Sequence, residues 1–161
     1  MIAHLLALTL LSTSFTNDAR IPTRMAAKPC GGENRSPELH WSGAPHAAKS
    51  LAIVMHDPDA PRAGGFTHWV LYDLAPMSTS LPEGATLEPS STGVNDTGAT
   101  GYFGPCPPPG KPHHYHITLY ALDVAHVGAA RPLSEAELLA RIKGHVVAEA
   151  TLTGLFATLP R

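Results

Sequence analysis

The chain of 161 residues predicts a mainly β fold, a β-sandwich decorated by one clear helix in its C-terminal half. Three observations predict it. Apolar, β-rich runs recur as "LALTLLST", "KSLAIVMHD", "THWVLYDLA" and "HHYHITLYALDV". Sixteen prolines and fourteen glycines crowd the stretches between them, where neither residue type lets a long regular element persist. One segment alone keeps a helical period. The apolar fraction of 43% and the scattered charge separate such a chain from a disordered one, and its length suits a single domain over 1–161.

"LALTLLST" gives the first strand. A long connection rich in turn formers follows, "NDARIPTRMAAKPCGGENRSPELHW". "KSLAIVMHD" is nearly continuous in apolar residues, the pattern of a central strand covered on both faces, and "THWVLYDLA" is its expected partner. A second long connection runs from "PEGATLEP" to "GPCPPPGKP". In the third strong strand the period of two places His113, Tyr115, Ile117 and Leu119 on one face, and His114, His116, Thr118 and Tyr120 on the other. "LSEAELLARIKGHVVAEA" reads as the helix. Ser134 caps it, Glu137 completes a capping box, and Leu138, Leu139, Ile142 and Val146 form its apolar stripe. "EATLTGLFATL" then returns to β character.

The bulk numbers exclude some functions. A net charge of −2 with no basic run is not that of a general nucleic-acid binder. "MIAHLLALTLLSTSF" lacks a basic start and a clean small-x-small site, so a mature strand is expected over a signal peptide. No stretch is expected to insert stably in a membrane. A cytoplasmic location follows, with a periplasmic one as the alternative should that stretch be a signal peptide. Cys30 and Cys106 cannot make a disulfide framework. In a cytoplasmic chain they are expected as free thiols, although a bridge between the two long loops is open.

Three chemistries compete for the polar residues. His56, Asp57, Asp59, His68, His113, His114 and His116 invite a metal. However, no ligand spacing such as HExxH is present, and His113 and His114 leave opposite faces of one strand. Cys106 as a nucleophile would sit between Pro105 and Pro107, neither of which has an amide to build an oxyanion hole. An anion pocket uses more of the unusual residues. The amides of Tyr102, Phe103 and Gly104 would point at the ligand from a proline-stiffened loop, beside an imidazole whose tautomer and charge an acid sets. Taken singly, Asp57 and Asp59 are ordinary turn formers and His68 an ordinary core histidine.

"DPDAP", then "HW" into a strand, then "GPCPPPG" before "HHYHITLYALD", resembles the phosphatidylethanolamine-binding protein (PEBP) family, in its bacterial and archaeal YbhB/YbcL-like branch. "GGENRSPELHWSGAP" and "GHVVAEATLTGLF" extend the likeness from about Leu8 to Phe156. The resemblance implies an antiparallel β-sandwich with a small cavity at one end that takes phosphate-like and carboxylate anions or phospholipid head groups, with regulation of the kinase-inhibitor kind within its range. It implies ligand contacts from Asp57, Asp59, Pro61, His68, Gly104, Pro105, His113 and Tyr115, with His114 and His116 facing away. It also raises the expectation of a cis bond before Pro61. "RAGGFT" is short where eukaryotic members carry longer partner-binding segments, so kinase or transcription-factor binding is not carried over, and no lid helix is expected at the C-terminus. The expected function is therefore anion binding without catalysis, without metal and without cofactor, with a homodimer left open. A hydrolase using Asp57 and His68, and a ligand-free scaffold, are the alternatives.

Overall fold

The computed structural model describes residues 6–160. Among these residues eight strands form two sheets. The smaller has the order β1 (Thr9–Leu11), β3 (Leu39–Ser42), β6 (Ser80–Leu81). The larger has the order β2 (Ala19–Arg20), β8 (Val146–Phe156), β7 (His113–Leu122), β4 (Ser50–Asp57), β5 (Phe66–Leu74). Every pairing is antiparallel except β2 with β8, which is parallel and only two residues long.

The pleat explains the layers. Ile53 and Met55 of β4, Trp69 and Leu71 of β5, and Ile117 and Leu119 of β7 face the smaller sheet and pack with its Leu10, Leu39 and Trp41. On the opposite face of the larger sheet Ala52, Val54, Val70 and Tyr72 lie beneath Leu133, Leu138 and Ile142. The helix α1 (Glu135–Ile142) supplies that cover. β4 is thus buried on both faces, which is why its sequence is apolar without alternation.

α1 begins where the capping box places it. Glu137 N–H donates to Ser134 Oγ at 3.3 Å and Ser134 N–H to Glu137 Oε2 at 2.9 Å. It ends earlier than its stripe predicts. Gly144 adopts φ +82°, a left-handed conformation that stops a helix, and Val146 opens β8 instead of continuing the stripe. The sequence "HVVAEATL" has the β-branched content to do so. The first long connection holds more structure than its turn formers suggest: β2, β3 and two short 3-10 turns, Thr23–Met25 and Lys28–Cys30. The second holds one such turn, Pro89–Ser91.

Two expectations are corrected here. Cys30 and Cys106 are joined by a disulfide, not free, because both long loops gather at one end of the sandwich. No described peptide bond is cis, so the Ala60–Pro61 bond is trans. The turn is closed by other means: Asp59 N–H donates to Asp57 Oδ1 at 2.8 Å, and Gly65, at φ +76°, passes so close to the Asp57 carbonyl that a Cβ would lie 2.3 Å from it. Met1–Leu5, the start of the stretch weighed as a signal peptide, lie outside the described residues. Among the described residues no helix is long and apolar enough to cross a membrane.

Candidate functional site

A cavity of about 250 Å³ opens where β4 and β7 meet the hairpin loop and the proline-rich loop. Its buried polar groups come from three strands. Asp57 ends β4 and is 2% exposed. His113 begins β7 and donates from Nδ1 to Asp57 Oδ2 at 2.7 Å. Tyr115, two residues on and therefore on the same face, is fully buried. Its hydroxyl has no hydrogen-bond partner. Burial first, and the nearby Asp57 charge second, hold that phenol above its ordinary pKa, so it is a donor at any physiological pH.

His68 arrives by a local irregularity. The register between β4 and β5 runs Met55 to Trp69, then His56 to Thr67 and Asp57 to Phe66, which leaves His68 opposite no residue of β4. This is a β-bulge. Simple alternation from Trp69, which faces the inner core, would send His68 outward. The extra residue instead lets His68 and Phe66 line the cavity and sends Thr67 to the outer face, where its hydroxyl donates to Glu135 of α1. His68 is 4% exposed. Its Nδ1–H donates to the Phe103 carbonyl at 2.7 Å, and burial depresses its pKa to about 4. The ring is therefore neutral near pH 7, with Nε2 as its acceptor.

The remaining wall is apolar except for Arg62. Ala60 and Pro61 come from the hairpin loop, Phe103, Pro107 and Pro108 from the proline-rich loop, and Phe66 from β5; Arg62 and the half-cystine Cys106 complete it. Of the residues expected from sequence, Asp57, Pro61, His68, His113 and Tyr115 line the cavity, and Asp59, Gly104 and Pro105 do not.

Each absence has a physical reason. The Asp59 carboxylate accepts from His114 N–H at 2.8 Å and from His114 Nδ1 at 2.7 Å, on the outer side of β7. Gly104 N–H donates to Asn34 Oδ1 at 2.7 Å, and a Cβ there would meet the Met25 carbonyl at 2.1 Å. The glycine thus serves the close approach of two loops. The Pro105 carbonyl accepts from Ala27 N–H at 3.0 Å. Two of the three expected amides are likewise spent on the fold, that of Gly104 and that of Phe103, which donates to the His68 carbonyl at 3.0 Å. The proline-rich loop shapes the cavity with side chains.

His116 bonds Thr153 through Nδ1 at 2.8 Å, away from the cavity with His114. No group of three or more His, Cys, Asp or Glu among the described residues could hold a metal ion. Sequence reasoning missed Ala60, Arg62, Phe66, Pro107 and Pro108 as wall residues, and gave Phe103 a role through its amide where its ring forms the wall. The aromatic step before "HW" and the proline run after Cys106 were the signals available.

With this geometry in place, comparison with known proteins gives a consistent answer. The family model described as phosphatidylethanolamine-binding protein matches residues 11–157. A UPF0098 protein of Methanothermobacter thermautotrophicus is 44% identical over 148 residues, covering 89% of this chain and 94% of the relative. A UPF0098 protein of Aquifex aeolicus is 37% identical, covering 90% and 85%. Among solved structures, YbcL of E. coli, titled a new member of the mammalian PEBP family, superimposes with a TM-score of 0.88 at 31% identity over 94% of this chain and 99% of its own. A PEBP homologue of Chlamydia trachomatis, CT736, gives 0.84 at 36% identity over 93% and 97%.

Proposed function

The chain belongs to the phosphatidylethanolamine-binding protein family, and from that premise we propose that it binds a small anion, a phosphate, phosphate ester or carboxylate, in the Asp57–His113 cavity. One observation carries the reading. The Tyr115 hydroxyl, beside Asp57 in the cavity wall, makes no hydrogen bond of good geometry, a state that costs about 1–3 kcal/mol and that a ligand oxygen relieves once a small shift of the ring opens the hydroxyl to it. The two imidazoles support it. Each commits Nδ1 to the protein, leaving Nε2 as its free nitrogen. Neutral His68 then accepts from a protonated ligand oxygen, while Tyr115 donates to a bare one. A monohydrogen phosphate presents both.

Binding is favoured over turnover. Both Asp57 oxygens are already engaged, by the Asp59 amide and by His113, so the hydrolase alternative must release one before Asp57 can act on water. A head group or a regulatory signal would be a narrower form of the same ligand. The disulfide supports the periplasmic alternative over the cytoplasm, since oxidising compartments preserve such bonds. Two titratable thiols in the purified, denatured protein would reverse that placement.

The test is calorimetric titration of phosphate and phosphoethanolamine. Affinity should fall as pH drops through about 6, where a phosphate ester takes its second proton and loses its second charge, while His68 stays neutral throughout. His113→Ala should weaken binding by about 1.5–3 kcal/mol and Tyr115→Phe by about 1 kcal/mol, with His116→Ala near neutral. Equal losses for His113→Ala and His116→Ala would put the site on the wrong face. Release of inorganic phosphate from a phosphate ester, absent in His68→Ala, would establish the hydrolase instead.

A further inference from the structure

Arg62 is the one lysine or arginine among the residues lining the cavity, and its position is unusual. It also lines the groove on the outer side of the same loop, beside His56, Asp96 and Glu135. Its guanidinium stands 5.6 Å over the Phe66 ring and 3.7 Å from Asp96 Oδ2. That is too long for a hydrogen bond, and the side chain is half exposed. Asp96 has a firmer partner, the Thr67 amide at 2.8 Å. Arg62 is therefore held loosely between two openings, by an aromatic face that tolerates sliding and a carboxylate already engaged.

The cavity interior needs that charge. It holds one buried carboxylate, Asp57, which opposes an entering anion, and His68 as a neutral ring. A second negative charge on the ligand finds no fixed cation inside. Resting on the anion-binding reading above, we infer that Arg62 is the specificity-determining residue of the cavity: it turns from Asp96 to the mouth, pairs the second charge of a phosphate monoester, and so selects dianions over monoanions. The ligand class follows from the walls as well. Phe66, Phe103, Pro107 and Pro108 offer flat apolar surface, and the cavity volume is about 250 Å³. A compact ester with one phosphate and one flat apolar group fits that space better than a long chain does.

The pair of probes that isolates charge from shape is phenyl phosphate and phenyl sulfate, alike in outline but close to −2 and −1 at pH 7.5. Wild type should bind phenyl phosphate the more tightly, and the preference should shrink as salt is added, because the paired charge lies at the mouth. Arg62→Gln should lose about tenfold in affinity for phenyl phosphate and only about twofold for phenyl sulfate. Arg62→Lys should recover part of the phosphate affinity. Asp96→Asn, whose amide oxygen can still accept from Thr67, should strengthen phenyl phosphate binding by about twofold by freeing the guanidinium. Equal losses for both probes in Arg62→Gln, or no loss from a wild type that binds phenyl phosphate, would overturn the selector while leaving the cavity an anion site. Wild type binding neither probe, nor phosphate, would overturn both.

Discussion

His56 and His68 stand one step apart on paired strands and are pushed in opposite directions. His56 lies on the outer face of the sheet, half buried, with Nδ1 donating to Glu135 Oε2 at 2.8 Å. That hydrogen bond, foremost, raises its pKa against the opposing effect of burial. His68 lies on the inner face, nearly sealed, and donates to a carbonyl instead. There burial wins and the pKa falls to about 4. A carboxylate carries the full charge that stabilises an imidazolium; a carbonyl carries a fraction of one. Two identical side chains thus serve differently: His56 is a carboxylate-paired fastener for α1, and His68, turned inward by the bulge, is a neutral furnishing of the cavity. The outer ring holds the fold together and the inner one is kept available.

The largest test of that contrast is on the acid side. The folded pKa of His68 is below its unfolded value of about 6.5. Between about pH 6.5 and 4 the unfolded chain therefore binds the extra proton and the folded one does not, so stability falls as pH falls through that window. A shift of this size corresponds to at most about 3.4 kcal/mol. Urea midpoints at pH 7 and pH 4.5 should show the loss in wild type. His68→Asn keeps a donor for the Phe103 carbonyl but cannot take the proton, so it should lose less on acidification than wild type, even if it starts lower. An identical acid loss in the variant would mean that His68 is not the group responsible.

What the sequence made legible is the part that depends on local pattern. The face shared by His113 and Tyr115 followed from the strand period alone, and the capping box of α1 from four residues. The two aspartates of "DPDAP" were legible as a pair but not as individuals, because Asp57 and Asp59 leave opposite sides of the chain and only the inward one meets His113. His68 was assigned to the cavity by resemblance. The strand period would have turned it out, and the bulge that turns it in depends on β4, eleven residues or more earlier. Burial could not be read from its neighbours either, so neither could its neutrality. The same is true of the disulfide. Its two halves are 76 residues apart and meet only because the 3-10 turns carrying Cys30 are tied to the loop of Gly104 and Pro105. Those two residues read as ligand contacts by resemblance; in the structure they tie the loops together and stand outside the cavity lining.

The smallest effect, on the basic side, sharpens the comparison most, because its sign must be opposite. The folded pKa of His56 is above its unfolded value. The stability it contributes is fully present below about pH 6.5 and is lost as pH rises through the folded value. The pair is partly open to water, so screening keeps the contribution under about 1 kcal/mol. Glu135→Gln removes the charge that raises the pKa but preserves an oxygen for the Thr67 hydroxyl, and it leaves the Ser134–Glu137 capping box in place. The variant should be less stable than wild type at pH 6 and nearly equal to it at pH 9, while its acid limb, set by His68, is unchanged. Wild type should consequently be most stable near pH 6.5, where the unfolded-state titrations of both rings meet. A Glu135→Gln deficit that persists undiminished at pH 9 would show that Glu135 fastens the helix through Thr67 alone. His56 would then be a bystander on the outer face and not the counterpart of His68.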